Sequence, residues 1–126
     1  MKILNLSNVA GVTSGGIGDV AQAMIRHQNK LNVESNLWFP GDEDKKFEVH
    51  NLTDVPLNQI EAFPTIGPHN LGITPGLINK RSFAVESFDI IHQHGAFLPI
   101  SLFSKSLSKK IKVLISPHGL FEPERL

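Results

Sequence analysis

Short apolar runs alternate with stretches of helical period along the chain. Residues 3–7 (Ile-Leu-Asn-Leu-Ser) form an opening run that reads as a buried strand. A glycine-rich loop follows over residues 11–18. From Ile17 onward the apolar positions Ile17, Val20, Ala21, Met24 and Leu31 recur at helical spacing, interrupted by Gln28, and predict a helix with Asp19 in its first turn. Residues 33–39 predict a second strand, ended by Pro40-Gly41, and residues 42–46 a charged turn. Residues 60–63 predict a short third strand. Around it, residues 47–76 carry no clear period, and Gly67-Pro68, Gly72 and Pro75-Gly76 break what surrounds them, so a long irregular loop is expected there. Residues 77–87 predict a weak helix and residues 88–92 a fourth strand. Residues 98–110 predict a helix with Leu98, Leu102, Phe103 and Leu107 on one side and Pro99 tolerated in its first turn. Residues 112–116 predict a fifth strand, ended by Pro117. Strands alternating with helices imply an α/β fold on a doubly wound, Rossmann-like parallel sheet.

Composition bounds this picture. A chain of 126 residues fits one domain. Lys plus Arg number 12 and Asp plus Glu number 12, so the formal charge is zero, and the excess positive charge that non-specific nucleic-acid binding needs is missing. Six histidines turn the balance positive in mild acid. Hydrophobic residues at 40% and charged residues at 19% exclude a disordered chain. The absence of cysteine excludes disulfide frameworks, thiolate metal sites and Cys nucleophiles, and fits a reducing compartment. No apolar run approaches the ~20 residues of a membrane span. The opening residues are too short and too polar afterwards for a signal peptide, so a cytoplasmic location is expected.

Three segments offer chemistry. Gly11, Gly15, Gly16 and Gly18 lie between a strand and a helix N-terminus, where free backbone N–H groups suit an anion; an unliganded β–α connection is the plainer alternative. Gly11 and Gly16 have Walker A spacing, but Ile17-Gly18 stand where Lys and Ser or Thr are needed, so a P-loop NTPase is excluded. Gly16-Ile17-Gly18-Asp19-Val20-Ala21 matches the dinucleotide fingerprint, yet it lies about eight residues beyond the strand, where that fold needs it almost at once. Asp42 and Asp44 are near the position of an acidic ribose partner, which keeps a dinucleotide oxidoreductase as one alternative.

His92-Gln93-His94-Gly95 stands at the carboxyl end of the fourth strand. Both imidazoles share a face if the strand runs that far. No third ligand is evident, so no metal is expected. A merely packed histidine suits His92 better than His94. Ser116-Pro117-His118-Gly119 repeats the arrangement at the fifth strand's tip. In a doubly wound sheet the first, fourth and fifth strands are neighbours, so Gly15, Gly16, His94 and His118 would converge on one cleft; a simple Pro-His-Gly turn is the alternative for His118. His27, His50 and His69 receive no role. Lys105, Lys109, Lys110 and Lys112 read as a solvated face, with contact to an anionic membrane surface as the sharper alternative.

These segments resemble the N-terminal part of a GT-B fold glycosyltransferase of the retaining family 4 type. Met1-Lys2-Ile3-Leu4 resembles its opening strand and Gly15-Gly16 its double-glycine loop. Phe88-Asp89-Ile90-Ile91-His92-Gln93-His94 resembles its Asp-x-x-His-x-His strand end. Ile115-Ser116-Pro117-His118-Gly119-Leu120-Phe121-Glu122-Pro123, the most specific match, resembles the Ser-Pro-His/Arg-Gly-Met-x-Glu-Pro segment of polysaccharide-building members. The resemblance implies two Rossmann-like domains facing each other across a cleft. The donor nucleotide-sugar would bind mainly to a C-terminal domain and the acceptor to the N-terminal one. It further implies that Gly15 and Gly16 approach the donor diphosphate or the acceptor, that His94 lies near the acceptor, and that His118 is the catalytic residue near the transferring sugar. No metal or cofactor is generally required.

By the same resemblance residues 1–126 are a truncated N-terminal half, without the C-terminal domain and its Glu-x7-Glu segment, and inactive in isolation. The implied reaction is retaining transfer of a sugar to a glycan or lipid-linked acceptor in polysaccharide biosynthesis, at the inner face of the membrane. The fifth strand would present an open edge suited to self-association. The competing reading is a stand-alone Rossmann- or flavodoxin-like module that binds a nucleotide or phosphate without catalysis.

Overall fold

The computed structural model describes residues 1–7, 15–64, 74–94 and 100–116, with backbone alone for 15–21 and 100–102. Its elements are β1 (Lys2–Ser7), α1 (Gly15–Lys30), β2 (Glu34–Pro40), α2 (Glu43–Thr53), β3 (Ile60–Phe63), α3 (Pro75–Asn79), α4 (Arg81–Ser87), β4 (Ile90–His94), α5 (Ile100–Leu107) and β5 (Lys112–Ser116). The five strands form one sheet in the order β3-β2-β1-β4-β5, with each neighbouring pair parallel. This is the predicted α/β, Rossmann-like sheet.

Side-chain alternation along β1 assigns the two faces. Leu4 and Leu6 point to one face, where Trp38, Phe63, Ile91, Leu77, Ala84, Phe88, Phe103, Leu107 and Ile111 close around them. Trp38 anchors that core, with ring centroids 5.3 Å from Phe63 and 5.7 Å from Phe88, both edge-on. The opposite face holds a second core of Ile25 from α1, Leu37, Phe39 and Ile60 from the strands, and Val49 and Val55. Helices thus cover both faces, as the doubly wound pattern requires.

Three expectations are corrected. Residues 42–46 are not a charged turn but the start of α2, which occupies much of the stretch expected as irregular. Asp42 caps it, its Oδ1 accepting from the Lys45 N–H at 3.0 Å. The helix was hidden because only Val49 and Thr53 are buried on it, while Phe47 and Leu52 are exposed, so no apolar stripe marks its period. The weak helix over 77–87 is two helices, α3 and α4, divided at Lys80. The fourth strand lies two residues later than 88–92. Phe88 is in the core, and Asp89 instead clasps the start of β1: the Lys2 N–H donates to Asp89 Oδ2 at 2.8 Å and the Asp89 N–H to the Lys2 carbonyl at 2.9 Å.

Gly41 is needed where β2 turns into α2, because a Cβ there would stand 2.9 Å from the Phe39 ring. At the far edge, β5 exposes Leu114 at 44% and Ile115 at 58%. Lys105, Lys109, Lys110 and Lys112 are all exposed. Among the described residues no helix is long and apolar enough to cross a membrane.

Ile91 is wholly buried between the central strand and the helices. Ile91→Ala is expected to lower unfolding free energy by about 2–5 kcal/mol in urea denaturation. Asp42→Ala, which removes only the α2 cap, is expected to cost about 1 kcal/mol in the same measurement.

Candidate functional site

In the order β3-β2-β1-β4-β5 the chain leaves β1 for β2 on one side and returns to β4 on the other. The crevice outside the carboxyl ends at such a reversal is where open α/β sheets bind ligands. Register puts three residues level at that rim: Ser7 of β1 stands opposite His94 of β4, and His94 opposite Ser116 of β5. Gly15 and Gly16 are the first residues of α1, the helix that follows β1. The first four N–H groups of a helix have no partner within it, and Gly15 and Gly16 lie in that first turn. Gly18 lies inside the same helix, so the loop expected over 11–18 is already helix from Gly15, and Asp19 falls beyond the first turn where it was expected. Residues 11–14 and His118 lie outside the described residues.

β4 does continue through His94, so His92 and His94 share a face. Their rings stack with centroids 4.1 Å apart. The packing, however, is the reverse of expectation: His94 is completely buried, whereas His92 is partly exposed. The cause is the direction in which each ring leans. His94 leans toward the sheet centre, its Nε2 lying 2.8 Å from Asn5 Oδ1 on β1. His92 leans toward the edge, its Nε2 lying 2.7 Å from Ser116 Oγ on β5. There the neighbour on the same face is the exposed Leu114.

Behind His94 the polar contacts continue under α1. Asn5 Nδ2 donates to Ser35 Oγ at 2.7 Å, and Ser35 Oγ donates to Gln28 Oε1 at 2.6 Å. Asn5 Nδ2 also lies 3.5 Å from Gln28 Oε1, and Asn29 accepts from the Ser35 N–H at 3.3 Å. Asn5, Ser7, Ser35 and His94 are all fully buried. The interruption of the α1 stripe by Gln28 thus has a cause: its amide serves this network. Asn5 and Ser35 were missed as site residues. The signal that could have found Asn5 is a carboxamide inside the apolar run Ile3-Leu4-Asn5-Leu6.

Chemically, the rim brings together two imidazoles, two hydroxyls and a helix N-terminus, with His92 and Ser116 partly exposed, His94 and Ser7 buried behind them, and no carboxylate among these groups. That set suits hydroxyl and phosphate recognition. Among the described residues no group of three or more His, Cys, Asp or Glu could hold a metal ion. Of the two acidic positions that kept a dinucleotide reading open, Asp42 caps α2 and Asp44 lies in its first turn.

The model of the Glycosyltransferase Family 4 matches residues 14–126. The chain belongs to that family. Its sheet is that of a GT-B N-terminal domain, and a glycosyltransferase type of function follows from the membership. Neither a curated protein nor a solved structure matches the chain.

Ser35→Ala removes the buried hydroxyl that joins Asn5 to Gln28. It is expected to cost about 1–3 kcal/mol by thermal or chemical denaturation, because Asn5 Nδ2 loses its short partner.

Proposed function

We propose that this chain forms the acceptor-side domain of an enzyme that moves a sugar from a nucleotide-sugar donor to a glycan or lipid-linked acceptor, in polysaccharide biosynthesis at the cytoplasmic face of a membrane. A second α/β domain would complete the cleft and hold the donor nucleotide. The observation that carries this reading is the meeting of the β1, β4 and β5 tips at the sheet's reversal point, in a chain of a glycosyltransferase family.

In this reading the chain's own groups divide the work. The N–H groups at Gly15 and Gly16 offer positive dipole ends to the donor diphosphate or to an anionic acceptor. The histidines at the β4 tip bind and orient the acceptor, with His94 as the inner member of the pair. His118 follows Ser116 by two positions in the sequence, and it acts at the transferring sugar. Leaving-group charge is then stabilised by oriented dipoles and basic side chains rather than by a metal bound in this domain.

The test is release of nucleoside diphosphate from a panel of nucleotide-sugars by the protein joined to its second domain, with and without candidate acceptors. Acceptor-dependent release supports the reading. Tight nucleotide binding by residues 1–126 alone, with no turnover in any form, supports the non-catalytic module instead. Within the active protein, His118→Ala is expected to lower turnover by about a hundredfold with the thermal midpoint unchanged. Unchanged turnover would remove His118 from the site.

A further inference from the structure

The Trp38 face of the sheet changes character along its strands. Register and alternation put Lys2, Glu34, Asn36 and Glu61 on the same face as Leu4 and Trp38. That face is apolar toward the carboxyl ends of the strands and polar at their amino ends. Between the polar end and α4 lies a cleft of about 270 Å³. It stands at the opposite end of the sheet from the His94 crevice. With a rise of ~3.3 Å per residue along β1, the two are about 15–20 Å apart.

The polar groups of this cleft are only partly used. Glu34 Oε2 takes both the Lys2 ammonium at 3.4 Å and the Asn36 amide at 3.3 Å. Glu61 lines the cleft from β3, opposite Trp38, and takes part in no ion pair among the described residues. Gln59 lines it just before β3, and its Oε1 is buried without a hydrogen-bond partner. Such an oxygen is destabilising until a donor reaches it. The aromatic groups, by contrast, are engaged. Trp38 stacks on Phe83 with centroids 6.2 Å apart, and Lys80 Nζ stands 4.9 Å over the Phe83 ring. What remains for a ligand is mostly polar. It is also balanced in charge, since the carboxylates of Glu34 and Glu61 are matched by the ammonium groups of Lys2 and Lys80. Neither a phosphate nor a cation gains from such a lining.

We propose that this cleft is a second binding site, which takes a neutral sugar unit. Each sugar hydroxyl both donates and accepts, which suits carboxylates, carboxamides and ammonium groups set around one small space. The volume lies below the ~300–1,000 Å³ of sites for drug-sized ligands, as a single small ring requires. The half-exposed Phe83 supplies an apolar wall for the carbon skeleton of that ring. The site is separate from the strand-tip crevice, and it stands whether or not the chain transfers sugar.

Trp38 is the only tryptophan of the chain, so its fluorescence reports on this cleft. The full chain is titrated with methyl glucoside, methyl galactoside and N-acetylglucosamine, and with inorganic phosphate and tetramethylammonium as charged probes. Calorimetry follows the same titrations. The expected result is a saturable Trp38 response to at least one of the sugars at millimolar concentration, matched by the calorimetric affinity and absent for both charged probes. Glu61→Ala is expected to weaken that affinity about tenfold or more. Ser116→Ala, at the carboxyl end of β5, is expected to leave it unchanged.

No saturable response to any of the sugars would overturn the proposal, as would a response to phosphate or tetramethylammonium in their place. Sugar binding by calorimetry without a Trp38 response, full affinity in Glu61→Ala, or lost affinity in Ser116→Ala would overturn it too. If Glu61→Ala does not fold, Asn58→Ala, an exposed position lining the same cleft, is read in its place. A protein that binds sugar here and transfers none would sink the transferase reading alone.

Discussion

The pairing of β1 with β4 is the constraint on which everything else in this structure depends. Asn5 and His94, bonded across that seam, are 89 residues apart in sequence, so the seam closes most of the chain into a loop. The half with β1, α1, β2, α2 and β3 lies on one side and β4, α5 and β5 on the other. Closing a loop of that length costs conformational entropy before any contact forms. What offsets it is concentrated at the seam itself. Leu4, Leu6 and Ile91 are wholly buried there, and the Lys2–Asp89 clasp fixes the end from which both strands start. The same pairing places the reversal of strand order, and with it the crevice, beside His94.

The two faces of the seam differ in kind. One is apolar and aromatic; the other carries Asn5, Ser7 and His94, all removed from water. Burying such groups unpaired would be destabilising by several kcal/mol, to an order of magnitude. Asn5 and His94 persist there because the contacts from Gln28 through Ser35 and Asn5 to His94 give both of them partners. This also specifies register. A slip of one residue would turn Asn5 into the Trp38 core and Leu4 onto the polar side, so the polar strip disfavours the wrong alignment as the apolar one favours the right alignment.

The fold was legible where burial imposes a period. β1, β2, β3 and β5 lie within a residue of where the apolar runs put them, because strands covered on both faces need such runs. α2 was not legible, since a helix that buries only Val49 and Thr53 leaves its signal in an N-cap and not in a stripe. Nor was the start of β4: Phe88 looks like a strand residue but packs from outside the ladder, and Asp89 turns to bond β1. At the site, the local motifs placed Gly15, Gly16 and His94 at the correct end of the sheet. Asn5 and Ser35 escaped because their roles exist only across elements. A single buried polar residue in a strand shows in sequence that it needs a partner, but not which one.

The histidine pair shows where that limit bites. Alternation along β4 makes His92 and His94 equivalent, two positions on one face. What separates them is the neighbouring strand each ring meets. β1 lies beneath α1 and supplies a buried carboxamide; β5 is at the sheet edge and supplies a serine beside an exposed leucine. A gradient from dry to wet therefore crosses a single stacked pair 4.1 Å thick. In the dry part a hydrogen bond is stronger, so the bond to Asn5 holds the inner ring in place. In the wetter part a ring can exchange partners with solvent or ligand. In the proposed acceptor site such a division is useful, because an oriented group that need not reorganise on binding stands directly behind one that can adapt.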